Sequence, residues 1–182
     1  MSGPNPYYPT VDYTGSSNPQ CGLARVQPAI GTVMHTTSGT NSRAILQGLE
    51  PGAGGLVSVH TLIERTGQRD ILYTPDKVCF HTGQTWYPGP ITGRCDPANE
   101  VFLGIELECL DNQAPTYQQI DSAAEQIALW ALQLGWRWPY NLFGHNALAI
   151  PLGRREDPVR FNWGSFAGRL YYWSRLYAVG GV

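Results

Sequence analysis

The chain has 182 residues, 42% of them hydrophobic and 14% charged, which is about one domain with material for a real core and too apolar for a disordered class. A formal net charge of -2 argues against nucleic acid or an anionic surface as the main partner, since both are usually met by a basic stripe, so no nucleic-acid partner is expected. No run approaches a membrane span, and Met1 to Pro9 lacks the positive start and apolar core of a secretory signal. Synthesis in a cytoplasm, no stable membrane insertion and a monomer are expected.

Residues 1–28 are rich in Pro, Ser, Asn, Gly and Tyr without periodicity and read as an extended arm laid over the domain, which then occupies residues 29–182. Val33-Met34 opens a first strand. Asn41 to Gln47 reads as a short capped helix ended by Pro51-Gly52-Ala53-Gly54-Gly55. Leu56 to Glu64 is β-branched and roughly alternating, and with a Thr66-Gly67 turn and a strand near Asp70 to Tyr73 it predicts a hairpin. Val101 to Cys109 reads as a mostly buried strand whose Glu106 and Glu108 share a face.

Apolar residues at Ile120, Ala123, Ala124, Ile127, Ala128, Trp130, Ala131 and Leu134 follow helical spacing between Thr116 and the stop at Gly135. A second amphipathic helix is predicted from about Ser165 to Tyr177, covering the other side of the sheet. Strands interspersed with helices predict an α/β layer domain. Cys21, Cys79, Cys95 and Cys109 include no Cys-x-x-Cys pair, so neither a zinc ribbon nor a redox motif is indicated. Cys79 and Cys109 are expected as buried thiols, while Cys21 and Cys95 lie in loop-like sequence and are free to pair if the compartment allows it.

His145 and Asp157 flank one short loop, and His35 ends an apolar stretch far upstream. Two imidazoles and one carboxylate leave a tetrahedral zinc ion one open position, as a catalytic site requires and a structural site does not. A proton acceptor is then needed, and Glu106 on its buried strand is the natural candidate. Arg155 is able to hold a developing oxyanion, since its guanidinium does not lose its proton. Each residue also has a plainer reading: His35 as a satisfied core histidine, Asp157 before Pro158 as a turn residue, Glu106 as the partner of an arginine in the sheet, Arg155 as a solvated surface group.

Five short segments occur in one order: Met34-His35-Thr36-Thr37; Ser58-Val59-His60-Thr61; Phe80-His81-Thr82-Gly83; Gly104-Ile105-Glu106-Leu107-Glu108; and Gly144-His145 with Gly153-Arg154-Arg155-Glu156-Asp157-Pro158. Over residues 30 to 170 this order resembles the zinc-dependent N-acetylmuramoyl-L-alanine amidases of type 2, a family that also includes peptidoglycan-recognition proteins and phage endolysins. The resemblance implies an α/β fold with a single mixed sheet flanked by helices and zinc in a surface cleft, held by His35, His145 and Asp157, with Glu106 as the catalytic glutamate and His81 lining the substrate cleft. It implies hydrolysis of the amide between N-acetylmuramic acid and L-alanine, in peptidoglycan or in muropeptides. Trp86, in the loop Gln84 to Pro90, is a candidate for stacking on sugar or peptide.

Arg155 stands where many members carry lysine, and Val159 where a glycine is common. Val59 replaces the tyrosine that recognition proteins and some phage enzymes carry before the histidine equivalent to His60, which itself reads as structural. The setting favoured by the proline-rich arm is a phage endolysin acting on the cell wall. Its rivals are a cytosolic muropeptide-recycling amidase, a non-catalytic peptidoglycan-binding module and a zinc peptidase acting within the stem peptide.

Overall fold

The structure is a computed structural model and describes residues 6–37, 39, 42–51, 56–88, 95–110 and 113–180. Asn41, the glycine-rich helix stop at 52–55, and Gly89 and Pro90 of the aromatic loop lie outside the described residues. The chain runs β1 (Thr10–Asp12), β2 (Gly22–Ala24), β3 (Gly31–Thr36), α1 (Arg43–Leu46), β4 (Thr61–Ile63), β5 (Arg69–Ile71), β6 (Lys77–Cys79), α2 (Pro97–Val101), β7 (Phe102–Leu107), α3 (Tyr117–Leu134), β8 (Asn141–Gly144), α4 (His145–Leu148) and α5 (Trp163–Gly180).

Six strands form one mixed sheet in the order β1-β5-β4-β7-β3-β8, and β2 pairs with β6 in a separate two-stranded ribbon. At its centre β4, β7, β3 and β8 run parallel, and β4 and β5 form the expected antiparallel hairpin. The described part of the N-terminal arm is stitched into this framework, since β1 adds the edge strand beside β5 and β2 pairs with β6. Glu125 on α3 fixes its start, accepting from the backbone N–H groups of Tyr7 at 2.6 Å and Tyr8 at 3.2 Å.

Parallel central strands must be covered on both faces, and the register shows how. Met34, Leu103, Ile105, Leu107 and Ile63 share one face and pack against Ile120, Ala124 and Ile127 of α3. The same cluster receives Phe166, Leu170, Trp173 and Tyr177 of α5. These four recur at helical spacing. The final helix therefore covers the face that α3 covers, not the opposite one expected from the sequence, because its apolar stripe docks beside that of α3.

The opposite face carries only short helices and loops, with Val33 and Phe102 packing against Ala98 of α2 and Leu148 of α4. This leaves room for a cleft. The strand expected over Leu56 to Glu64 is confined to Thr61–Ile63, because Ser58 N–H donates to the Phe80 carbonyl and Val59 N–H to the Leu46 carbonyl, outside the sheet.

α3 begins and ends where its sequence signals stand. The Thr116 hydroxyl accepts from Gln119 N–H and the Gln119 side chain accepts from Thr116 N–H, a reciprocal capping box, and Gly135 closes the helix at φ 69. No described helix is long and apolar enough to cross a membrane.

Candidate metal centre and cleft

The site lies at the carboxyl ends of the parallel strands, where open α/β sheets commonly bind ligands. His35 is the penultimate residue of β3, Glu106 lies opposite it on β7, and His145 is the first residue of α4, immediately beyond β8. Asp157 comes from the loop before α5, and Gly144 is what lets that loop approach. A Cβ at Gly144 would lie 2.9 Å from Pro158 Cδ and 2.6 Å from Asn146 Oδ1. With glycine there, Asn146 N–H reaches the Asp157 carbonyl at 2.9 Å.

Three ligand atoms converge: His35 Nδ1 is 3.1 Å from His145 Nδ1, His35 Nδ1 is 3.2 Å from Asp157 Oδ2, and His145 Nδ1 is 3.1 Å from Asp157 Oδ2. Two ligands of a tetrahedral ion with bonds of ~2.0–2.1 Å stand about 3.3 Å apart, so the triangle has the size such an ion needs. Among the described residues it is the group of histidine, cysteine and carboxylate side chains that could hold a metal ion.

Protonation fits as well. His145 Nε2 lies 2.7 Å from the Thr82 carbonyl, which only accepts, so Nε2 carries the proton and Nδ1 turns a lone pair to the triangle. His35 Nε2 lies 3.0 Å from His81 Nδ1, an arrangement in which His35 donates and likewise leaves Nδ1 free. Burial, only partly offset by Asp157, lowers the His35 pKa, and burial together with the neighbouring imidazoles lowers that of His81 well below the usual range. The His35 ring is thus kept neutral, as ligation requires. Burial alone would raise the Asp157 pKa, but its contacts with His35 and His145 outweigh burial and lower it below the usual carboxylate range.

Glu106 behaves in the opposite way. Burial first, then the Asp157 charge, push its carboxyl well above the usual range, while Arg155 pulls it back. His35, Glu106, His145, Asp157, His81 and Arg155 all line one cleft of about 670 Å³, a size suited to a small ligand.

Arg155 is exposed at the rim. Its neighbour Arg154 is tied to backbone carbonyls, donating to Ile150 at 2.9 Å, Gln84 at 2.7 Å and Thr82 at 3.3 Å. Trp86 is not brought to the cleft wall: it is 50% exposed, and its indole N–H donates to the Ala147 carbonyl at 2.7 Å. His60 lies outside the triangle, fully buried, with Nδ1 accepting from Gly104 N–H at 2.9 Å and Nε2 donating to the Lys77 carbonyl at 3.0 Å. Val159 N–H donates to Thr36 Oγ1 at 3.3 Å, tying the loop after Asp157 to the end of β3.

Cys21, Cys79 and Cys109 are buried thiols, so Cys21 forms no disulfide. Sequence reasoning missed the outer partners of the histidines. The Thr82 carbonyl is a backbone group and leaves no trace in side-chain patterns, and the role of His81 toward His35 becomes visible only when β3 and the loop after β6 are brought together.

An α/β sheet with two histidines and an aspartate at its carboxyl edge defines the class, and comparison with known proteins supplies the family. Residues 25–160 match the family model described as N-acetylmuramoyl-L-alanine amidase, and the chain belongs to that family. It is 36% identical over 115 residues to the 1,6-anhydro-N-acetylmuramyl-L-alanine amidase AmpD of Citrobacter freundii, covering 60% of this chain and 55% of that one. The chain thus spans a little over half the length of that relative. Among solved structures, a selenomethionine derivative of AmpD superposes with a TM-score of 0.70 at 24% identity, covering 90% of this chain and 94% of the other. The N-acetylmuramoyl-L-alanine amidase LysC from Clostridium intestinale gives 0.63 at 17% identity, covering 92% and 99%. Likeness at these identities concerns the fold.

Proposed function

We propose that the protein is a zinc-dependent amidase that hydrolyses the bond between the lactyl carbonyl of N-acetylmuramic acid and the nitrogen of L-alanine. The observation that carries this reading is the triangle of His35 Nδ1, His145 Nδ1 and Asp157 Oδ2, with sides of 3.1 to 3.2 Å, beside an acid whose proton affinity is raised. His35, His145 and Asp157 would hold zinc, which supplies Lewis acidity to the amide carbonyl and to the attacking water.

Glu106 takes a proton from the water as its oxygen bonds to the carbonyl carbon, and returns it to the alanine nitrogen as the C–N bond breaks. A raised pKa suits a group that must hold that proton between the two events. Arg155, at the rim, faces the developing oxyanion with a charge that is never lost. His81 acts through His35 as well as lining the cleft.

The relatives matched in sequence are named for a 1,6-anhydro sugar, and on that ground we take the soluble muropeptide as substrate in preference to the wall polymer. The endolysin setting expected from the proline-rich arm has beside it only likeness of fold to solved endolysins. Incubation with 1,6-anhydro-muropeptide and, separately, with intact sacculi, followed by weighing of the products, tests both parts. Free sugar and an L-alanine-terminated peptide from the soluble substrate support the proposal. Cleavage within the stem peptide refutes it, and release from sacculi alone would transfer the assignment to a lytic enzyme.

A further inference from the structure

Asn99 is almost fully buried on α2, at 3% exposure, and has no place in the chemistry above. Its Oδ1 accepts three hydrogen bonds from two consecutive residues: His81 N–H at 3.1 Å, Thr82 N–H at 3.1 Å and the Thr82 hydroxyl at 2.9 Å. The same short stretch is tied to the start of α2 a second time. Asp96, which caps α2 by accepting from Ala98 N–H, also accepts from Thr85 N–H at 2.8 Å.

This clamped pair of residues supplies the outer partners of both histidines. His81 Nδ1 accepts from His35 Nε2 at 3.0 Å, and the Thr82 carbonyl accepts from His145 Nε2 at 2.7 Å. The two ligands come from β3 and α4, yet one dipeptide orients both. Gly104 completes the seat beneath it, since a Cβ there would lie 2.8 Å from His81 Cγ.

We infer that Asn99 is a positioning residue of the metal centre, fixing the His81-Thr82 segment and through it the ring planes and tautomers of His35 and His145 together. The inference rests on the reading of those two histidines as metal ligands. Without the Asn99 oxygen, the buried Thr82 N–H and the part-buried His81 N–H lose their acceptor, the Thr82 hydroxyl is left with the Gly83 carbonyl at 3.4 Å, and the segment must move to find another. The His81 ring and the Thr82 carbonyl move with it. Outer-shell partners of ligating histidines typically govern metal affinity by about 10- to 100-fold.

The test is zinc affinity by competition with a chromophoric chelator, and the absorption spectrum of the cobalt-substituted protein, at a temperature where every variant is folded. Asn99→Leu is expected to lose about tenfold or more in zinc affinity and to shift the cobalt bands. Asn99→Asp keeps the acceptor and is expected to retain both. Ile127→Ala, on the far face of the sheet, controls for destabilisation alone and is expected to lower Tm with affinity unchanged.

Should Asn99→Leu not fold, Thr82→Val removes one of the three donors and must still shift the cobalt bands. Asn99→Leu with wild-type affinity and spectrum, or equal losses in the Leu and Asp variants, would overturn the inference and leave the metal reading standing. A wild type that binds no zinc would overturn that reading, and the inference with it.

Discussion

Glu106 stands directly across from His35 in the parallel ladder between β3 and β7, so the acid and one corner of the His-His-Asp triangle leave the sheet on the same face and enter one cleft. Because register fixes this pairing, the roles separate cleanly by mutation. Glu106→Gln keeps the shape and the triangle and removes only the proton carrier. Its kcat is expected to fall by about 10²- to 10⁴-fold, with zinc content unchanged by atomic absorption. Near-normal turnover in this variant would assign the proton work elsewhere.

Arg155 and Arg154 should respond differently although they are adjacent. Arg155 is exposed at the cleft rim, so Arg155→Gln is expected to lower kcat by about 10- to 100-fold, at or below the range for removal of an oxyanion donor, with Tm unchanged. Arg155→Lys should keep the activity, because it retains the charge. Arg154→Ala, which releases the Ile150 and Gln84 carbonyls, is expected to lower Tm. Steady-state kinetics beside thermal melts on the three variants check the division.

The fold carries a buried ion pair far from the cleft, and its disruption should be costly. Arg69 Nη2 lies 3.3 Å from Glu125 Oε2 with both side chains fully buried. Glu125 also accepts from Tyr7 N–H and Tyr8 N–H and from the Tyr177 hydroxyl. Glu125→Ala strands the guanidinium and unpins the arm, and is expected to cost about 3–5 kcal/mol in urea denaturation. A loss under about 1 kcal/mol would show that the arm's anchor lies elsewhere.

His60 gives the stability a pH dependence of definite sign. Burial, then the Arg25 charge, push its pKa down to about 3, so between that value and the unfolded value of about 6.5 the unfolded chain binds the proton and the native protein does not. The contribution is complete above about 6.5 and is lost as pH falls through that window. From pH 7 to pH 5 the wild type is expected to lose about 2 kcal/mol more than His60→Gln. Parallel losses in urea titrations at the two pH values would refute a neutral buried His60.

Much of this was legible from sequence where a local signal and the tertiary outcome share one cause. Thr116 and Gln119 announce the start of α3 and Gly135 its end because caps are chosen by neighbouring residues. The β4–β5 hairpin is likewise local. The strand expected over Leu56 to Glu64 shrank because its first half bonds to α1 and to Phe80, partners remote in sequence. The side covered by α5 depends on how two helices share one sheet face, which periodicity does not encode.

At the site, His35, His145 and Asp157 were expected as ligands, Glu106 as base and Arg155 as oxyanion holder, since such roles are a matter of side-chain type, and all five line one cleft. Trp86 was expected there for the same reason, but its indole is drawn away to the Ala147 carbonyl. Asn99 was not legible, because its work is done on a backbone segment.

The central claim is that His35, His145 and Asp157 hold one zinc ion on which amide cleavage depends. It is tested most directly by titrating zinc into metal-free wild type and metal-free His145→Ala and following release of L-alanine-terminated peptide from a muropeptide by mass spectrometry. The account predicts one zinc per wild-type chain, with cleavage rising in step and abolished by chelation, and neither tight zinc nor product in the variant. Full cleavage by metal-free wild type, or by His145→Ala, would contradict it.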